Sequence, residues 1–334
     1  MDSHRCLALL VLLVLVLSVV SLCLGQQWTS LPDTLLLPWT DPNSVSAVIT
    51  REIRLPRTLI AIVSGFSLGL AGAALQGLMQ NPLASPGLVG SASGAAFGAV
   101  SALYFFSHLI HPQMVPLAGM LGALLATGTV YLLAGKDAGV GTLILAGVAI
   151  NALAAALLSL LLNLAPSPFA VQELVLWTLG DISDRSLADW QLMLPASLAG
   201  WLLLIGTGKS LDALSLGERT AGSMGVNLHA LTWRMFLAVS LCVGAAVSTT
   251  GMIGFIGLVV PHLLRPYAHY EPSRLLLLSA VGGAAMLLAA DIGVRLISMY
   301  TDIPVPLKVG VLTALVGAPF FLMLIVKSRR EYWQ

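Results

Sequence analysis

Few residues in this 334-residue chain have types and spacing able to do chemistry. Gly208-Lys209-Ser210 has the ending of a phosphate-binding loop. The first glycine of G-x-x-x-x-G-K-S would fall at position 203, which is Leu203, and an apolar helix rather than a strand precedes the segment. No nucleotide site is assigned here. His262 follows Pro261 and has the choice of being a metal or haem ligand or a hydrogen-bonded core residue; a lone histidine favours the second. Cys6, Cys23 and Cys242 form no CxxC pair and support neither a metal site nor a disulfide framework. No HExxH, paired acids or Ser/His arrangement lies inside the apolar runs. No catalytic residue, metal site or cofactor is therefore expected.

The remaining polar residues are scarce enough to be informative. Gln76, Gln80 and Asn81 lie at the end of an apolar run, where amides are costly unless satisfied. They face a translocation path or belong to a plain connecting turn. Asn163, Ser248, Thr249 and Thr250 are weaker candidates for path lining. Asp291 stands four residues before Arg295 and is spaced to pair with it on one helix face. Arg54 and Arg57 flank Pro56, which fits a first helical turn. Cations there oppose the helix dipole, so an offsetting gain is expected, or the side chains snorkel to lipid headgroups.

The elements that position these residues follow from composition. Hydrophobic residues make up 57% of the chain and charged residues 9%, against about 25% charged in soluble domains. The mean hydropathy is +0.93. Backbone groups in lipid must bond internally, and no period-2 alternation appears, so the runs are helices. The fold class is all-α, a polytopic membrane protein with about ten transmembrane helices. The spans fall at 7–25, 58–79, 92–107, 114–134, 142–165, 190–207, 231–250, 252–265, 275–298 and 309–327. The eighth is too short to cross alone and is expected to be tilted or buried in the bundle. Residues 1–25 imitate a signal peptide, but the apolar run is long and lacks a small-x-small site. They are read as an uncleaved first helix. The whole chain, 1–334, is read as one transmembrane domain. The net charge of +1 gives no case for nucleic acid.

With the N-terminus inside, one side holds Arg5, Lys136, Lys209, Arg219, Arg234, Arg265, Arg274, Lys327, Arg329 and Arg330. The other holds Arg51, Arg54, Arg57, Arg185, Arg295 and Lys308. Positive charge concentrates on the cytoplasmic side, which places both termini there. Gly65 and Gly69, Gly90 and Gly94, and Gly94 and Gly98 stand four apart, a spacing that lets helices approach closely in lipid. The segments 72–90 and 249–267 are both broken by glycine and proline, the mark of an internal structural repeat.

The longest polar excursion on the inner side runs from about 208 to 230. Ser215-Leu216-Gly217-Glu218 has capping-box spacing, so a short helix is expected to start there. A rigid knob between two spans gives a second protein something to push.

Five motifs occur in order: Arg54-Leu-Pro-Arg57, QGLMQNPLASPGLVG, LSLGERTAGSMGV, GFIGLVVPHLLR and VGVLTALVGAPFF. Together, over about residues 45–327, they resemble the FecCD-type permeases, membrane subunits of ABC importers for iron-siderophores, haem and vitamin B12. The resemblance implies type II importer architecture: ten helices per subunit and a homodimer around a central path. It also implies two ATP-binding subunits on the cytoplasmic side and a substrate-binding protein on the outer side. Ser215, Leu216, Gly217, Glu218, Ala221 and Gly225 match the coupling helices that seat on the ATPase. Arg54, Arg57 and Arg295 match positions that meet acidic residues of the binding protein. One departure is the loop Asp302-Ile303-Pro304-Val305-Pro306-Leu307-Lys308, which is longer than the family pattern.

The expectation is a permease in a bacterial cytoplasmic membrane carrying an iron-siderophore chelate, with haem and cobalamin as alternative cargo. The rival from another class is an ion-coupled carrier, which would place ionisable residues near the membrane midplane. The spans hold almost none away from their ends.

Overall fold

The computed structural model describes all residues except 1, 26–28, 32, 35–39, 106–113, 136–139, 166, 302–306 and 332–334. Among the described residues the regular structure is helical. The elements are α1 (Ser3–Cys23), α2 (Val45–Ile49), α3 (Leu55–Leu78), α4 (Ser91–Phe105), α5 (Met114–Ala134), α6 (Val140–Asn163), α7 (Pro168–Thr178) and α8 (Leu187–Leu204). There follow α9 (Gly208–Leu214), α10 (Glu218–Ser223), α11 (Leu228–Thr250), α12 (Ile256–Leu264), α13 (Pro272–Tyr300) and α14 (Val309–Glu331).

Burial sorts these helices into an inner and an outer set. The most apolar window of the helix ending at Leu78 is 83% buried, and those of α11 and α13 are 67% and 72% buried. The corresponding windows of α1, α5, α6 and α8 are only 17–28% buried. Apolar surface on the second set is the surface that lipid covers. Seven helices among the described residues are long and apolar enough to cross a membrane.

Small residues account for the inner set. A Cβ on Gly65 would lie 2.8 Å from the Ala284 Cα, and one on Gly69 would strike the Ser279 carbonyl. Facing them, Gly283 would strike the Gly65 carbonyl. These contacts bring the backbones of α3 and α13 together along their length, which is how glycine at four-residue spacing acts in lipid. Gly94 and Gly98 do the same for α4 against Gly122 and Ala118 of α5.

The two broken segments meet. Gly72 of α3 packs against the Gly257 backbone, and Gly257 in turn sits against Leu68 and Pro86. Between α11 and α12 the chain leaves the helix at Gly251 (φ 72°) and re-enters after Phe255 (φ 67°). The short eighth span is thus a nine-residue helix, α12, buried on most of its length.

The structure corrects two readings. The second membrane helix does not begin at Pro56. It begins at Val45 and passes through a π-helical turn, Thr50–Arg54, into α3. Arg54 and Arg57 therefore lie within a continuous 34-residue helix, and the dipole argument drawn for them lapses. The second correction is α7, an eleven-residue helix that the apolar pattern alone did not reveal.

Candidate functional site

Two polar stations occupy opposite ends of the α3–α13 pair. The first surrounds the knob. Leu204 closes α8, and α9 follows after Gly206, whose φ of 81° turns the chain. Leu211 and Leu214 bury one face of α9 in the bundle. Ser215 ends α9 and Gly217, at φ 103°, precedes α10. The expected capping box does not form. The Ser215 hydroxyl donates back to the Asp212 carbonyl, and α10 starts at Glu218 with Gly217 as its N-cap. The reason is local: Ser215 stays in the right-handed helical region (φ −62°) as the last residue of α9, and the break falls at Gly217, whose φ of 103° is open to glycine. Ala221 is fully buried and Gly225 (φ 86°) ends the knob. Leu216 and Met224 are 64% and 61% exposed. The knob thus presents two large apolar side chains to whatever lies beyond the membrane.

Backbone acceptors and donors clamp this knob to the pair. The Gln80 side-chain nitrogen donates to the Leu214 carbonyl at 2.6 Å. The Asp212 carboxylate accepts from the Ser273 backbone N–H at 2.8 Å. Gln80 closes the end of α3 in the left-handed region, φ 47°, and Ser273 opens α13. Displacing α9 therefore pulls on both helices at once.

The second station is a charge cluster at the far ends. Arg57 donates to Asp291 through Nε at 2.9 Å and Nη2 at 2.7 Å. Arg295 donates to the same carboxylate through Nε at 2.9 Å. Asp291 is fully buried. Arg295 also reaches the Ser21 carbonyl at 2.7 Å and the Leu24 carbonyl at 3.2 Å. Arg54 donates to the Leu22 carbonyl at 3.0 Å and the Cys23 carbonyl at 3.2 Å. Both arginines thus supply donors to the last carbonyls of α1, which have no partner within the helix. Arg54 is 7% exposed. The expected pairing of Asp291 with Arg295 is present, and Arg57 shares it.

The structure fixes relative ends. The Ser3 hydroxyl donates to the Tyr267 carbonyl, on the knob side, and Ser21 lies in the charge cluster. The start of α1 is therefore at the knob end of the bundle.

The candidates for path lining separate. Gln76 is buried, donates to the Leu258 carbonyl at 3.4 Å and accepts from Arg265 at 2.5 Å. Its amide joins α3 to α12. The Asn81 side chain caps the Leu83 N–H. Ser248, Thr249 and Thr250 are no more than 2% exposed, enclosed by the chain's own helices. Ser248 and Thr250 return their hydroxyls to α11 carbonyls. Gln76, Ser248, Thr249 and Thr250 are thus enclosed within a single copy of the chain. Asn163, at the end of α6, is exposed.

One pairing escaped the sequence reading. Lys308 forms a salt bridge with Asp181. The Asp181 backbone N–H donates to the Thr250 carbonyl at 2.7 Å, and the Gly310 N–H to the Gly180 carbonyl at 3.1 Å. These bonds join the α7–α8 connection to the α11 break and the start of α14. Burial alone would raise the Asp181 carboxyl, but Lys308 and Ser183 hold it below the ordinary carboxylate value. The unexpected Lys308 was the available signal; its partner, 127 residues away, was not legible. Asp302 to Pro306 of the lengthened loop lie outside the described residues. His262 packs edge-on against Phe320 with ring centroids 5.9 Å apart. Among the described residues no three His, Cys, Asp or Glu side chains gather in a way that could hold a metal.

This geometry has a counterpart among known proteins. A model of the FecCD transport family matches residues 12–327. The vitamin B12 import system permease protein BtuC of Vibrio cholerae is 38% identical, over 98% of this chain and 99% of its own. The hemin transport system permease protein HmuU of Yersinia pestis is 36% identical, over 87% of each chain. Among solved structures, a transporter described as metal-chelate type ABC, in an inward-facing conformation, superposes with a TM-score of 0.85. It shares 30% identity, over 97% of this chain and 99% of that one. The chain belongs to the FecCD transport family: it is a multi-pass membrane permease of a bacterial ABC importer, and not an enzyme.

Proposed function

We propose that two copies of this permease, each acting as one transmembrane unit over residues 1–334, carry a metal–tetrapyrrole chelate inward across the cytoplasmic membrane, with cobalamin as the first candidate. The observation that carries the cargo class is similarity over nearly the full length to permeases named for vitamin B12 and for hemin. Both cargoes are large planar macrocycles around a metal, so a wide path with few specific contacts serves either. A siderophore, the expectation drawn from family breadth, is retained as an arm of the test.

Power comes from elsewhere. An ATPase subunit pair seats against Leu216, Met224 and Glu218 on the cytoplasmic side. Nucleotide binding shifts α9 and α10, and the bonds from Gln80 and Asp212 pass that shift into α3 and α13. With the knob facing the cytoplasm, the N-terminus faces it too. The outer station then lies toward the substrate-binding protein. Three arginines against one aspartate leave that end with a surplus of two positive charges among Arg54, Arg57, Arg295 and Asp291. Because these side chains are pinned by α1 and Asp291, they act on an acidic partner through their field, steering orientation and on-rate. Direct side-chain contact would require their release. Gln80, Asn81 and Asn163, the less enclosed of the polar candidates, line the path between copies.

Reconstitution with the cognate ATPase and binding protein tests the reading. ATP-dependent uptake of cobalamin, haem and a ferric siderophore is measured in parallel. Uptake of cobalamin or haem supports the cargo class; siderophore uptake alone overturns it. Transport by the purified permease without the ATPase would return the ion-coupled carrier.

A further inference from the structure

A cavity of about 480 Å³ opens between the knob and the first turns of α11. Its walls include Lys209 and Ser210 of α9, Met224 and Asn227 from the connection to α11, and Arg234 of α11. Two cations line it and no carboxylate does. Among the described residues Lys209 makes no ion pair. Arg234 is held in place from behind: its Nε donates to the Leu203 carbonyl and its Nη2 to the Ile205 carbonyl, both at 2.5 Å. That leaves Nη1 without a protein acceptor among the described residues. A guanidinium fixed in this way, with one edge unspent, is a preformed half of an anion site.

The surroundings identify the depth in the bilayer. Leu202 and Ile205, next to the cavity rim, are 63% and 65% exposed. Exposed apolar side chains at the end of a membrane-length helix are the kind that lipid tails cover. Trp233, adjacent to Arg234, is half exposed and packs on Tyr131 with centroids 5.0 Å apart. Tyr131 in turn hydrogen-bonds His229. Aromatic side chains with polar tips gather at the level of lipid headgroups. The cavity therefore lies where membrane phosphates lie, with lipid-facing helix on one side and the knob on the other. A basic pocket between membrane helices on the cytoplasmic side is the setting in which anionic headgroups bind.

We infer that this cavity takes the phosphate of an anionic phospholipid headgroup, held by Lys209 and Arg234 beside the knob. The lipid would brace α9 against α11. The assignment to an inner-leaflet lipid rests on the orientation proposed above; the presence of a bound headgroup does not.

Mass spectrometry of the full chain in detergent, after exposure to phosphatidylglycerol, is the direct test. One retained phosphatidylglycerol per chain is expected, with no retention of phosphatidylcholine. Lys209→Gln should weaken retention roughly fivefold, the effect of one interfacial cation. Arg274→Gln, on the same side but paired with Glu271, should leave it unchanged. Equal loss in both variants, or no retention in the wild type, overturns the site. Competition by millimolar inorganic phosphate that removes the lipid would identify a free-anion site and overturn the lipid source. Loss of the lipid on adding the ATPase would assign the cavity to that subunit and overturn the proposal. Labelling of a Lys209→Cys variant from each side of sealed vesicles tests the orientation separately.

Discussion

At one end of the α3–α13 pair, Arg54, Arg57, Arg295 and Asp291 are withdrawn from water and bonded to one another or to α1. At the other end, Leu216 and Met224 stand exposed on two short helices that a few hydrogen bonds fasten to the same pair. Both ends lie outside the apolar midsection, yet they follow opposite rules. The cluster keeps its charges satisfied within the chain. The knob leaves Leu216 and Met224 exposed on a short polar stretch outside the membrane-length helices. Between them run the backbones of α3 and α13, brought into close contact at Gly65, Gly69 and Gly283. The contrast separates an end whose polar groups are bonded within the chain from an end that exposes apolar side chains.

Substitutions at each end sharpen this contrast. The largest effect is expected from Asp291→Ala. Removing Asp291 leaves two largely withdrawn guanidinium groups without their carboxylate, at a cost of about 3 kcal/mol. A lower melting temperature in detergent and poor recovery of the chain are the readouts; an unchanged melting point would show that the arginines had found water. Next comes Gly69→Leu, which inserts a side chain against the Ser279 backbone. Overpacking costs about 1–3 kcal/mol, and here it also separates the pair, so ATPase activity should persist while transport falls.

Leu216→Glu should act the other way round. Its side chain touches solvent, so stability stays within about 0.5 kcal/mol of wild type. Association with the ATPase should weaken by about 2 kcal/mol, the loss typical of an interface anchor, as read by co-purification and by binding-protein-stimulated hydrolysis. Tight association in this variant would remove the knob from the mechanism. Smallest is Lys308→Met. The Asp181 carboxyl is held low when folded, so the pair contributes fully at neutral pH and its contribution is lost as pH falls through the folded value. Wild type and variant should therefore differ by about 1 kcal/mol from pH 7 down to about pH 4 and converge only as pH falls further, through the lowered folded value. A constant difference across that range would assign the effect to packing instead.

Much of this was legible beforehand because lipid imposes a severe rule on sequence. Apolar runs near 20 residues have few solutions, so the helical class, the buried α12 and the glycine-packed helices could be read from spacing alone. The ordered motifs did the same for family membership. Two misreadings share a cause. Pro56 looks like a helix start, but a π turn at Thr50–Arg54 lets the helix run on from Val45. Ser215 and Glu218 have capping-box spacing, but Gly217 places the break between them. In each case a local pattern met a neighbour that the pattern did not contain.

By itself, then, the order of residues determined that the chain must be helical, membrane-embedded and poor in titratable groups away from the span ends, because unsatisfied backbone and bare charge are too costly in hydrocarbon. It also determined which short stretch must stand in water. Only the tertiary structure decided that Asp291 serves two arginines, that Lys308 reaches Asp181, and that Gln80 and Asp212 fasten the knob to α3 and α13. Hydrophobicity is a property of each residue and sums along the chain. A hydrogen bond or ion pair needs two residues in one place, and only packing puts them there.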